Sequence, residues 1–141
     1  EAAGKRGIPQ VIVPGAMDMV NFGPRFSVPS RFEGRLFYEH TPAVTLMRTT
    51  AEDNERLGAT MAKKLNKATG TVCVVIPGKG FSAYDNLGKP FFDPQADAAF
   101  VKGLKRELFD KIAIVEHDLD VNDSTFAQFL VEKFIEVSNW E

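Results

Sequence analysis

Four short runs of contiguous apolar residues punctuate the chain. They are Gln10 to Val13, Val44 to Arg48, Val72 to Ile76 and Ile112 to Val115. Unbroken β-branched runs of this length suit strands covered on both faces, as in a parallel sheet. Between them the apolar period changes to that of a helix. Leu57, Met61, Leu65 and Ala68 form one stripe, Phe100, Leu104 and Leu108 a second, and Phe126, Leu130 and Phe134 a third. The punctuation agrees with this division. Thr50 offers an N-cap with Asp53 at the capping-box position. Asp93-Pro94 gives a cap followed by proline at the first helical position. Asn122 or Asp123 caps the last helix, and Gly70 stops the first. The alternation predicts one α/β domain over residues 1–141. It has three layers, with a mainly parallel sheet and helices on both faces, a Rossmann-like architecture.

Two stretches break the pattern. Asn21 to Glu39 reads as a long loop, with Phe22, Phe26, Phe32, Phe37 and Tyr38 among prolines and glycines. A loop of that length is expected to be functional or to cover something. Its aromatics are expected to seal a small satellite core or an interface. Arg25, Arg31 and Arg35 are expected to meet water or nearby carboxylates. Pro77 to Asp93, PGKGFSAYDNLGKPFFD, follows the third apolar run. Glycines after a strand let backbone N–H groups approach an anion, and Lys79 adds charge. The segment matches neither G-x-x-x-x-G-K-[ST] nor G-x-G-x-x-G, and it lacks the second glycine of a nucleophile elbow.

Composition narrows the function classes. The chain has 141 residues, 44% hydrophobic and 26% charged, with a net charge of -2. That balance gives no footprint for nucleic acid or a membrane surface. No apolar run reaches the length of a transmembrane helix, and a cytoplasmic location is expected. The first residues show no signal-peptide pattern. The lone cysteine, Cys73, lies inside an apolar run and is expected to be an inert core residue. His117 stands in Glu116-His117-Asp118-Leu119-Asp120-Val121-Asn122-Asp123 without a spacing typical of zinc sites. No transition metal is therefore expected. Mg²⁺ held through nucleotide phosphates needs few protein ligands and is the expected ion.

Three segments carry a family resemblance: GIPQVIVPGAMDMVNFG from Gly7 to Gly23, RFEGRLFYEHTPAVTLMRTTAEDN from Arg31 to Asn54, and LNKATGTVCVVIPGKGFSAYD from Leu65 to Asp85. DLDVNDSTFA from Asp118 to Ala127 adds a weaker match. Together they resemble the C-terminal part of a bacterial, fungal and plant family named for the ATP-binding domain of the tomato mosaic virus resistance protein. The resemblance implies two α/β subdomains, of which this chain is the second, and it implies ATP binding. The plant relative acts by binding a viral replication protein. The loop positions that match family motifs are Asp18, Asn21, His40, Arg48, Thr49, Ser82 and Asp85. The family commonly places a Gly-Gly-like turn before its serine, whereas Lys79-Gly80-Phe81 stands here.

The expected function is binding of a nucleotide or another anionic small molecule in a cleft shared with the missing N-terminal subdomain. In this reading Gly78, Lys79, Gly80 and Ser82 hold phosphate, and Arg48 adds charge. Asp18 and Asp85 bind ribose hydroxyls or a hydrated Mg²⁺. Asn21 and Thr49 complete the ligand wall, and His40 is the candidate proton carrier. The alternative is an interaction module without chemistry of its own. In either case a homodimer is the default assembly.

Overall fold

The computed structural model describes residues 1–138. Four helices, α1 (Ala2–Lys5), α2 (Ala51–Leu65), α3 (Pro94–Glu107) and α4 (Ser124–Ser138), accompany six strands. The strands are β1 (Gln10–Ile12), β2 (Met19–Phe22), β3 (Phe37–Thr41), β4 (Val44–Arg48), β5 (Val72–Pro77) and β6 (Ala113–His117). They form two sheets of three strands each. The first is parallel, in the order β1-β5-β6, with Val74 opposite Ile12 on one side and Ile114 on the other.

Strand β5 explains why its sequence is an unbroken apolar run. All of its residues are buried. Val72, Val74 and Ile76 point toward α2 and α3, where they meet Ala62, Phe100 and Leu104. Cys73 and Val75 point the other way and meet Phe126 of α4. Alternating side chains therefore feed two cores from one strand. Phe100, Leu104 and Phe126 are wholly buried. Each such side chain contributes about 1.5–3 kcal/mol relative to exposure.

The expected helix starts hold, but α2 ends at Leu65 with Asn66 as its C-cap, so Ala68 lies beyond the helix and Gly70 is not its stop. Thr50 and Asp53 form a reciprocal capping box at α2. The Asp93 carboxylate accepts from the Gln95 and Ala96 amides ahead of α3. Asp123, rather than Asn122, accepts from the Thr125 amide before α4. Helices α2 and α3 cross at glycine on each side. A Cβ at Gly58 would lie 2.1 Å from the Phe100 carbonyl oxygen, and one at Gly103 would lie 2.1 Å from that of Glu55.

The second sheet corrects two expectations. Val44 to Arg48 is a strand, but not in the parallel sheet. It is the centre of an antiparallel sheet of order β2-β4-β3. The stretch from Asn21 to Glu39 is not wholly loop. It contains the end of β2, two single 3₁₀ turns at Arg25–Ser27 and Ser30–Phe32, and the start of β3. The apolar residues of β2 and β3 are mixed with polar ones, so neither strand stood out as a run. The loop aromatics pack locally. Phe22 and Phe32 lie 5.4 Å apart between ring centroids, and the Arg25 guanidinium sits 4.1 Å over Phe37. Phe26 is instead 90% exposed.

Candidate functional site

A cavity of about 730 Å³ opens beyond the carboxyl ends of β5 and β6. This is where open parallel sheets commonly bind ligands. Its volume falls within the usual range for small-molecule sites. Ile76, Phe81, Phe92, Pro94 and Val101 supply much of the apolar wall. The polar lining is mostly acidic: Asp85, Asp97, Glu116 and Asp120, with Lys79 the one lining cation among the described residues.

The sequence-selected residues divide among three places. Gly78, Lys79 and Asp85 line the cavity. Asp18, Arg48, Thr49 and Ser82 are buried in a network behind it. Asn21 and His40 lie exposed on the second sheet, outside the cavity lining. There His40 Nδ1 and the Tyr84 hydroxyl share a 2.6 Å hydrogen bond, with the Tyr38 ring 4.9 Å from that of Tyr84 and tilted 48° to it.

Arg48 is the hub of the network. Its Nε donates to the Phe91 carbonyl at 2.8 Å. Its Nη1 donates to the Asp18 carbonyl and to Thr49 Oγ1. Its Nη2 reaches Asp97 at 2.7 Å, Asp85 at 3.1 Å and the Asp93 carbonyl at 3.2 Å. The guanidinium is therefore engaged on every side by the fold. It ties β4 to the segment after β5 and to the start of α3, which together build much of the cavity wall.

Of the backbone donors expected to hold phosphate, the Gly78 and Lys79 amides are committed. The Gly78 amide donates to the His117 carbonyl at 2.7 Å, and the Lys79 amide to that of Leu119 at 3.1 Å. The Phe81 amide donates to Asp85 Oδ2 at 2.9 Å. Ser82 Oγ donates to Asp18 Oδ2 at 2.7 Å. Gly80 has φ +135, and a Cβ there would lie 2.6 Å from Asn86 Oδ1. Glycine is thus required for the backbone path rather than for access by an anion. Lys79 Nζ pairs with Asp118 at 2.9 Å, and both side chains are exposed. Among the described residues, no group of three or more His, Cys, Asp or Glu side chains is placed to hold a metal ion.

Three carboxyls share the single Arg48 charge, and this sets their titration. Burial is the largest influence on Asp85 and pushes its pKa up to about 7; the nearby Asp97 and Asp18 charges push the same way, against Arg48 and the Phe81 amide. Burial likewise raises Asp18 and Asp97. Asp18 Oδ1 is buried without a hydrogen-bond partner, in keeping with a carboxyl that resists ionisation. A carboxyl whose folded pKa is raised binds its proton more tightly in the native state. Its contribution to stability is fully present near its unfolded pKa and falls as pH rises through the folded value. For Asp85 that window runs from 3.8 to about 7. Thermal unfolding should therefore shift to lower temperature between about pH 5 and 7, a loss on the order of 2 kcal/mol. Asp85→Asn should flatten the profile. A midpoint that rises over this interval in the parent protein would contradict the assignment.

Asp97, Glu116 and Asp120 were not selected from the sequence. Asp97 sits in the first turn of α3 and there resembles any acidic residue favoured by the helix dipole. Glu116, Asp118 and Asp120 alternate with His117, Leu119 and Val121. β6 ends at His117 and a bend follows, so Glu116 and Asp120 reach the cavity through a turn that spacing does not reveal.

Fold and site together define an α/β domain with a cavity at the carboxyl ends of its parallel strands. The sequence fits one such group over nearly its whole length. Residues 1–138 match the model of the uncharacterised protein family (UPF0261) C-terminal domain, and the chain belongs to that family. It is 46% identical over 136 residues to a UPF0261 protein of Clostridium tetani, covering 96% of this chain and 34% of the relative. It is 41% identical over 140 residues to a UPF0261 protein of Rhizobium meliloti, covering 98% and 35%. The ToMV resistance protein Tm-1(GCR237) of Solanum lycopersicum is 42% identical over 136 residues, covering 95% of this chain and 18% of that protein. The chain thus spans about a third of the bacterial relatives and under a fifth of the tomato protein. Among the described residues, no helix is long and apolar enough to cross a membrane.

Proposed function

We propose that this domain binds a nucleotide-type small molecule in the cavity beyond β5 and β6. The observation that carries this reading is the cavity itself, with apolar walls and a few convergent polar groups at the strand ends. Phe81, Phe92 and Pro94 suit the faces of a heterocyclic base. The carboxylates of Asp97, Glu116 and Asp120 suit sugar hydroxyls. The ATP expected from the family resemblance fits this division of labour. Mg²⁺ would arrive with the phosphates rather than occupy a dedicated protein site. The bacterial relatives are about three times as long as the stretch this chain matches, and a further segment of that kind would complete the cleft.

Calorimetric titration of the domain with ATP, with and without Mg²⁺, tests the proposal. Saturable binding at one site per chain is expected. Ala98 lines the cavity from an exposed position on α3. Ala98→Trp should fill the space and weaken binding at least about tenfold while leaving the unfolding midpoint nearly unchanged, as exposed substitutions do. Full binding by this variant would move the site elsewhere.

A further inference from the structure

Resting on that reading, we infer that the cavity takes the nucleoside end of its ligand and excludes phosphate, so that the phosphate chain lies at the mouth. The chemistry of the lining carries this. Glu116 and Asp120 present carboxylate oxygens, which accept hydrogen bonds from hydroxyl or amino groups and repel anions, whereas both Asp85 oxygens are already held by Arg48 and the Phe81 amide. An anion site needs free donors, and three of the backbone donors at the strand ends are spent. The Gly78 and Lys79 amides are held by carbonyls of the segment after β6, and the Phe81 amide is held by Asp85. Arg48, the nearest guanidinium, donates to carbonyls, to Thr49 Oγ1 and to Asp85 and Asp97.

Lys79 is the exception, and its position sets the polarity of the ligand. Its side chain is 57% exposed and pairs with Asp118, itself 86% exposed. An exposed pair of this kind is weak and exchanges partners readily. A phosphate at the mouth takes the Lys79 ammonium from Asp118, whereas a phosphate carried inward meets carboxylates and no free cation. The ligand class is therefore a neutral, hydroxyl-bearing heterocycle whose anionic substituents point to solvent or to a covering segment. Such a cavity binds a nucleoside without needing its phosphates, in contrast to sites built on glycine-rich phosphate loops, where most recognition goes to the phosphates.

The test compares adenosine, ATP and inorganic triphosphate by calorimetry in metal-free buffer at low salt, and again at about tenfold higher salt. Adenosine is expected to bind at least as tightly as ATP at low salt. Added salt should improve ATP relative to adenosine by about threefold or more, because the repulsion is screened. Triphosphate at hundredfold excess should leave bound adenosine in place. Displacement of adenosine by triphosphate, or ATP binding tenfold tighter than adenosine, would overturn the orientation while leaving nucleotide binding intact. Failure of both adenosine and ATP to bind would remove the nucleotide reading and the orientation with it.

Discussion

Replacing Arg48 by methionine should destabilise the domain by about 3–5 kcal/mol, the usual loss when one partner of a buried ion pair is removed. Methionine keeps much of the side-chain length, so the loss reports the guanidinium rather than a cavity. Without it, Asp85 and Asp97 face each other in a buried site with no cation. The carbonyls of Phe91 and Asp93 lose a donor at the same time. Arg48→Lys should recover little. An ammonium carries its donors on one atom and does not span acceptors that lie around three edges of a planar guanidinium. The triple variant Arg48→Met, Asp85→Asn, Asp97→Asn should be more stable than Arg48→Met alone, because it removes the stranded charges. Urea unfolding measures all three. A loss below about 1 kcal/mol for Arg48→Met would show that the network is incidental to the fold.

The second large effect is expected at the crossing of α2 and α3. Helix propensity alone makes Gly58→Ala stabilising by about 1 kcal/mol. The structure reverses the sign. The new methyl carbon would lie 2.1 Å from the Phe100 carbonyl oxygen and 2.7 Å from the Leu104 amide nitrogen. Both obstacles are backbone, so no side chain can rotate away and the helices must separate. Such overpacking costs about 1–3 kcal/mol, and occasionally more. A net loss of about 1–2 kcal/mol is expected in thermal or urea unfolding. The separation would also loosen the face of α3 that carries Phe100 and Leu104 against β5. An unchanged or raised unfolding midpoint for Gly58→Ala would mean that the helices are farther apart than described.

These two residues also show what was legible in the sequence. The strand at Val72 to Ile76 was readable because burial on both faces leaves an unbroken apolar run. The starts of α2 and α3 were readable because Thr50, Asp53 and Asp93 cap through local contacts three or fewer residues away. The antiparallel pairing of β4 was not readable. Its partners β2 and β3 mix apolar with polar residues, and pairing partners leave no local mark.

The site was legible as a region and not as a set of roles. Gly78, Lys79 and Asp85 do line a cavity at the strand ends. Arg48 was singled out as charge for a ligand, yet its partners lie up to 49 residues away within the chain. Such long-range commitments decide whether a donor is free, and they are invisible to spacing. His40 was selected beside the cleft, but its hydrogen bond to Tyr84 lies on the second sheet. The acids that set the character of the cavity, Asp97, Glu116 and Asp120, come from two elements brought together only by the parallel crossover.

The most direct measurement of the central claim is amide chemical-shift mapping of the isotope-labelled domain titrated with ATP. The account predicts that saturating shifts cluster at Gly78, Asn86, Leu87, Ala98 and Val101, around the cavity mouth and wall. Shifts confined instead to Gln10, Met61 and Ala68, in the groove between β1 and α2, or to Asn21 and His40 on the second sheet, would contradict it.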